Sequence, residues 1–180
     1  MTEYWREQMD HEPTRIYYEK LLEICKGLKP ETVLEIGTGW GISGSAFLDS
    51  GVKRLMTIDP NMESGKGMLA VTELKSKING QIVTFTKSKS SEAYSGILEK
   101  FDSVYIDGDH GYEGVKFDLE NADRFLNDGG YIILDDFFHE RNFISNKEDY
   151  GITLAVREYL IRTGKNAAIW PTKNNAFIVI

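Results

Sequence analysis

Residues 33–44 read "VLEIGTGWGISG". A short apolar run ends in an acid, and Gly37, Gly39, Gly41 and Gly44 then fall within eight positions. Such a run stopping at clustered glycines marks a buried strand that enters a tight loop and then a helix. The letters satisfy two cofactor fingerprints. Gly39-x-Gly41-x-x-Gly44 matches a dinucleotide loop, and Asp59 lies twenty residues past Gly39, where a ribose-binding acid is expected. Glu35-x-Gly37-x-Gly39-x-Gly41 instead sets an acid inside the strand end, two residues before the first glycine. The second fits better. Gly39 lies three residues beyond Ile36, whereas a dinucleotide loop opens on its glycine almost at once. A pyrophosphate cradle has little use for a carboxylate at Glu35, while a ligand bearing an amino group has. The 180 residues also leave little room for a second catalytic domain.

Outward from this loop, apolar β-rich runs alternate with stretches of helical period. "TVLEIG" (32–37), "RLMTID" (54–59), "QIVTFT" (81–86), "FDSVYID" (101–107) and "GYIILDD" (130–136) read as strands, several apolar on both faces. Helices are expected over 42–50, 64–78, 91–99, 112–126 and 151–164, the last ended by Gly164. The alternation predicts a doubly wound, Rossmann-like α/β sheet with helices on both faces. "NAAIW", "PTKNN" and "AFIVI" close the chain as a hairpin, so the sheet should be mostly parallel with one antiparallel C-terminal strand near or at an edge. Residues 1–30, with "RIYYEKLLEICKGL" as an amphipathic helix, are expected to form a helical cap or lid, and 31–180 the cofactor-binding domain.

Composition narrows the partners. Hydrophobic residues make up 41% and charged ones 27%, the proportions of an ordinary globular domain. A formal net charge of −7 argues against nucleic acid, and the basic pair Lys87 and Lys89 is too small to reverse this. No apolar run is long enough to span a bilayer, the N-terminus "MTEYWREQMDHEP" is charged and unlike a signal peptide, and a cytoplasmic protein is expected. Cys25 stands alone, excluding an internal disulfide or a cysteine metal cluster, and reads as a core thiol.

Two strands end in acids: Asp107 and Asp109 after the fourth, Asp135 and Asp136 after the fifth. Neighbouring strand ends bring these carboxylates together, where they repel unless a cation joins them. An oxygen-only set suits Mg²⁺, Mn²⁺ or Ca²⁺ better than zinc. Adjacent strand residues point to opposite faces, so Asp135 and Asp136 can share an ion only if the strand is already turning. Solvated acids that cap a helix or turn are the alternative. His110, three residues past Asp107 in a glycine-rich turn, is the candidate base, because a neutral imidazole can take a hydroxyl proton. His139 is held in reserve, and His11 falls in the N-terminal segment. Trp40 and Tyr112 are candidate pocket walls or core.

With "VLEIGTGWG", "TIDPN" and the terminal hairpin together, the chain from about Glu31 onward resembles the class I S-adenosylmethionine-dependent methyltransferases. The resemblance implies that Glu35, Gly37, Thr38 and Gly39 hold the methionine moiety and Asp59 the ribose hydroxyls, with Ser88 or Lys89 near the adenine. "YIDGDHGYEGVKFDLE" and "LNDGGYIILDDF" are similar to the macrocin-type and other sugar O-methyltransferases. That resemblance implies a divalent ion, Mg²⁺ first, on Asp107, Asp135 and Asp136, with His110 as base. Asp135 stands where some relatives carry glutamate, a longer arm. The implied reaction is O-methylation of a small-molecule hydroxyl on a sugar, catechol or other polyol. Amino-group methylation is disfavoured, since "DGDH" replaces the proline-rich "NPPY"-like turn that the resemblance would require. The rivals are a metal-independent methyltransferase, an NAD(P)-dependent oxidoreductase, and a non-catalytic partner subunit exposing Tyr4, Trp5, Tyr17 and Tyr18. For those aromatics a lid and a homodimer contact stay open as well.

Overall fold

A computed structural model describes residues 2–180. Among them seven strands form one sheet: β1 (Thr32–Ile36), β2 (Arg54–Ile58), β3 (Ile82–Thr86), β4 (Phe101–Ile106), β5 (Leu126–Leu134), β6 (Ala168–Pro171) and β7 (Ala176–Val179). Their order is β3-β2-β1-β4-β5-β7-β6. β1 to β5 pair in parallel, and β7 runs antiparallel to both β5 and β6. The reversed strand therefore lies one place in from the edge, because the hairpin folds β6 outward past it.

Period-2 alternation divides the core. Val33, Leu55, Tyr105, Ile133 and Phe177 point to one face, where Leu21, Ile24, Phe47 and Leu74 cover them. Those residues come from α2 (Glu12–Leu28), α3 (Ile42–Ser50) and α4 (Gly65–Lys77). Leu34, Val104, Ile132, Leu134 and Ile178 point to the other face, against α6 (Tyr112–Phe125) and α8 (Ile152–Thr163). Each fully buried Leu, Ile or Phe contributes about 1.5–3 kcal/mol, which is why strands apolar on both faces sit between two helical layers.

Local chemistry sets the ends. α8 stops at Gly164, whose left-handed backbone (φ 69°) lets its N–H reach the carbonyl of Leu160. α2 starts at Glu12 with Pro13 in its first turn, three residues earlier than the "RIYYEK" period suggests, because the fixed proline φ suits that position. Before it, α1 (Glu3–Asp10) is capped by the Thr2 hydroxyl, which accepts from the Trp5 N–H at 3.1 Å. The helix expected over 91–99 is shorter: α5 (Ser90–Ala93) passes into a single 3₁₀ turn over Tyr94–Gly96. Tyr94 is buried there with its hydroxyl donating 2.7 Å to Asp118, which pins that turn to α6. Leu98 beyond it is left almost wholly exposed, with no layer to pack on. α7 (Arg141–Ile144) is a further short turn between β5 and α8.

Sheet order reverses at β1, whose neighbours β2 and β4 lead away in opposite directions. Ile36 is level with Ile58 on one side and Ile106 on the other, so three loops leave the sheet at the same height. Crevices at such reversals are where open α/β sheets bind ligands.

Candidate active site

A cleft of about 750 Å³ opens at this reversal. Gly37, Gly39 and Trp40 line it from the loop after β1, Asp59 and Pro60 from that after β2, Ser88 and Lys89 from that after β3, and Asp107 and His110 from that after β4.

Gly37 carries a left-handed backbone (φ 93°), and a Cβ there would overlap the carbonyl of Asp107. Glycine thus lets the β1 and β4 loops touch. Asp59 is held by two backbone donors: the Gly39 N–H reaches one carboxylate oxygen at 3.0 Å and the Asn61 N–H the other at 2.7 Å. A carboxylate has about four acceptor sites, so two donors leave it capacity for a ligand's hydroxyls.

Thr38 and Glu35 are placed differently. Thr38 is buried, its hydroxyl 2.5 Å from that of Thr57, so only its backbone is available near the cleft. Glu35 shares a sheet face with Val33 and lies beneath the N-terminus of α3, outside the cleft lining. Its Oε1 accepts from the Ser43 hydroxyl at 2.5 Å, and its Oε2 is buried with no partner among the described residues. Burial, helped by the charges of Asp107 and Asp59, pushes its pKa up to about 7. Gly44 makes the space for it: a Cβ there would stand 2.9 Å from Leu74 and 3.4 Å from Oε2 of Glu35.

The second cluster gathers at the β4 and β5 tips. His110 Nε2 lies 3.4 Å from Oδ1 of Asp107 and 3.5 Å from Oδ2 of Asp136. The hydrogen bond from its ring N–H to Asp107, then the surrounding carboxylate charges, raise the His110 pKa against the opposing pull of burial. Burial raises the pKa of both Asp107 and Asp135, and Asp136 adds repulsion to each. The strand does turn at this point: β5 ends at Leu134, and Asp136 takes a left-handed backbone (φ 58°). Both neighbouring carboxylates consequently meet Asn175, whose Nδ2 donates 3.2 Å to Asp135 and 2.6 Å to Asp136.

Asn175 and Tyr150 were not legible as site residues. Asn175 comes from the hairpin turn between β6 and β7. Tyr150 donates its hydroxyl to Asp136 and stacks on His110 with centroids 5.1 Å apart and planes 6° off parallel. The only hint of Asn175 was its place in the turn-rich "PTKNN", and Tyr150 gave none. His139 lies outside the cleft lining, with Nδ1 accepting from the Arg141 N–H at 3.3 Å. Tyr112 is a core residue between α6 and α8, its hydroxyl donating 2.6 Å to Glu158. The N-terminal aromatics turn inward: Trp5 is buried edge-on against Tyr18, Tyr17 packs on Phe177, and Tyr4 donates 2.8 Å to the Trp40 carbonyl. Trp5 is thus core, while Tyr4, Tyr17 and Tyr18 are half-buried.

This fold, with an acid held against the glycine loop at a sheet reversal, is of the Rossmann-like cofactor-binding class. Residues 34–137 match the family model described as "Methyltransferase domain", and the chain belongs to that family. An uncharacterized protein of Acanthamoeba polyphaga mimivirus is 36% identical over 113 residues, 59% of this chain and 51% of that one, so the chain spans about half the length of that curated relative. Among solved structures, the O-methyltransferase TomG of Streptomyces achromogenes, in complex with SAM, aligns with a TM-score of 0.73 at 14% identity, covering 100% of this chain and 90% of that one. The Bacillus cereus O-methyltransferase in complex with SAH gives 0.68 at 17%, covering 91% and 79%. At these identities the likeness is one of fold.

A ribose-bearing cofactor fits the residues present, since the cleft has the volume and Asp59 has free acceptor capacity beside glycine backbone. A divalent cation does not fit the side chains as they stand. Asp107, Asp135 and Asp136 share one corner, yet among the described residues no three His, Cys, Asp or Glu groups are arranged to hold an ion. Both oxygens of Asp136 already accept, from Asn175 and from Tyr150. No helix among the described residues is long and apolar enough to cross a membrane.

Proposed function

We propose that this protein transfers a methyl group from S-adenosylmethionine to a hydroxyl of a small molecule. One observation carries the reading: Asp59 and the glycine loop face the same cleft as His110, which two carboxylates flank. Bound S-adenosylmethionine supplies an electrophilic methyl group on a sulfonium. Asp59 would hold the ribose hydroxyls, the backbone of Gly37, Thr38 and Gly39 the methionine end, and Ser88 and Lys89 the adenine end. His110, whose Nε2 faces Asp107 and Asp136, would take the acceptor hydroxyl's proton on its other ring nitrogen as the oxygen–carbon bond forms and the carbon–sulfur bond breaks. Asp107 and Asp136 offset the charge of the resulting imidazolium. Tyr150 keeps the ring's plane fixed by stacking.

Metal assistance is a second reading, favoured by the crowding of Asp107, Asp135 and Asp136, whose repulsion a cation would relieve. It requires Asp136 to turn away from Asn175 or Tyr150.

Calorimetry with S-adenosylmethionine and with NAD, each with and without Mg²⁺, tests both readings. Binding of the first alone supports methyl transfer; tight binding of NAD alone overturns it. Full activity in a chelator sets the metal reading aside.

A further inference from the structure

A second cavity of about 640 Å³ adjoins the cleft, between the start of α2 and the glycine loop. Trp40 lines both, so its indole is a shared wall. The chemistry of the two spaces differs sharply. The cleft carries five acids, Asp59, Asp107, Asp109, Glu113 and Asp118. None of the seven residues lining the second cavity is Asp, Glu, Lys or Arg, in a chain where 27% of residues are charged. Its faces are the rings of Trp40, Tyr17 and Pro13 and the side chain of Ile42, with Gln8, His11 and Thr14 as polar groups. His11 and Thr14 engage each other, Nδ1 lying 2.8 Å from the hydroxyl, which leaves the Gln8 amide as an uncharged polar group for a ligand.

The wall is built in place. Tyr4 holds the Trp40 backbone carbonyl at 2.8 Å, and the Lys66 ammonium lies 3.7 Å from the indole centroid of this half-exposed residue. Tyr17 bonds through its hydroxyl to that of Tyr105, two residues before Asp107. The floor of the second cavity therefore backs onto the acidic corner of the first.

Resting on the methyl-transfer reading, we propose that this cavity is the acceptor subsite and that it takes an uncharged, ring-bearing alcohol packed against Trp40 and Tyr17. Flat apolar and aromatic walls stack on a ring face. A phosphorylated or carboxylated acceptor would lose hydration there with no Lys or Arg among the lining residues in exchange. Trp40 then divides the two spaces, and the acceptor's hydroxyl extends past the indole edge to meet both the methyl carbon and His110 in the cleft.

Calorimetry on protein saturated with S-adenosylhomocysteine, titrated with catechol, methyl β-glucoside and glucose 6-phosphate, tests the assignment. Thr14→Arg puts bulk and charge into the second cavity from the first turn of α2, and Thr14→Ser is its conservative control. Either neutral ring compound should bind, with glucose 6-phosphate weaker than both. Thr14→Arg should weaken the neutral ligand about tenfold or more, Thr14→Ser should not, and S-adenosylhomocysteine affinity should stay unchanged in both. The proposal is overturned if glucose 6-phosphate binds best, if neither neutral compound binds, or if Thr14→Arg leaves their affinity intact. Failure of S-adenosylhomocysteine to bind wild-type protein is a separate result, which removes the methyl-transfer reading and the subsite with it.

Discussion

Gly37 lies against the main-chain carbonyl of Asp107, so close that a single added carbon would overlap it. That contact joins the loop after β1, which carries the glycines, to the loop after β4, which carries His110. Gly37→Ala must force the two apart and also strain a backbone at φ 93°. It should cost about 1–3 kcal/mol of stability and reduce S-adenosylmethionine affinity and turnover together. Denaturant unfolding and calorimetry on the same variant check this. Gly39→Ala, where a Cβ meets nothing within 4 Å, should be the milder change.

His110→Ala should lower kcat by about 10²–10⁴, the usual weight of a positioned base. S-adenosylhomocysteine affinity should stay near wild type, because His110 acts on the acceptor. His139→Ala should leave both quantities near wild type. Equal loss of cofactor affinity and turnover in His110→Ala would reassign the residue to binding.

Asp59→Ala removes the acceptor that organises the Gly39 and Asn61 N–H groups, together with the group offered to the ribose. Charge-assisted bonds of this kind should make the loss of cofactor affinity about tenfold to a hundredfold. A melting curve separates this from unfolding: Asp59 is on the surface side of its loop, so the transition should stay cooperative.

Glu35 should make stability pH-dependent. Its carboxyl, ordinarily at 4.5, is pushed up to about 7 by burial. Below 4.5 it is protonated in both folded and unfolded chains. Between 4.5 and about 7 the folded protein keeps a proton that the unfolded chain has lost, so stability falls as pH rises through this window and levels off above it. A shift from 4.5 to about 7 corresponds to about 3 kcal/mol at most. Urea unfolding of Glu35→Gln between pH 5 and 8 should show a flatter profile than wild type. Asp107 and Asp135 remain in the variant and titrate in the same direction, so some slope should persist. An identical slope in both proteins would show that Glu35 stays ionised when folded.

The sequence by itself determined the alternating architecture, the reversed strand at the C-terminus, and the loops where Gly39, Asp59, Asp107 and His110 would stand. Those features are local: a period of two or 3.6, a glycine that stops a strand, an acid at a strand end. Even the shortened helix at Ser90–Ala93 is a failure of local reading for a non-local reason, since Tyr94 is pinned by Asp118 from α6. Only the tertiary structure decided which way each acid points. Glu35 and Asp59 both flank the glycine loop, yet pleating turns one under α3 and leaves the other in the cleft. The left-handed backbone of Asp136 answers a conflict that strand alternation poses and cannot resolve. Asn175 and Tyr150 reach the acids from 39 and 14 residues beyond Asp136, and the two-cavity arrangement around Trp40 depends on an N-terminal helix folding back over the loop. Side-chain direction and contacts between distant segments follow from how layers pack, and packing is a property of the whole chain, not of any stretch read alone.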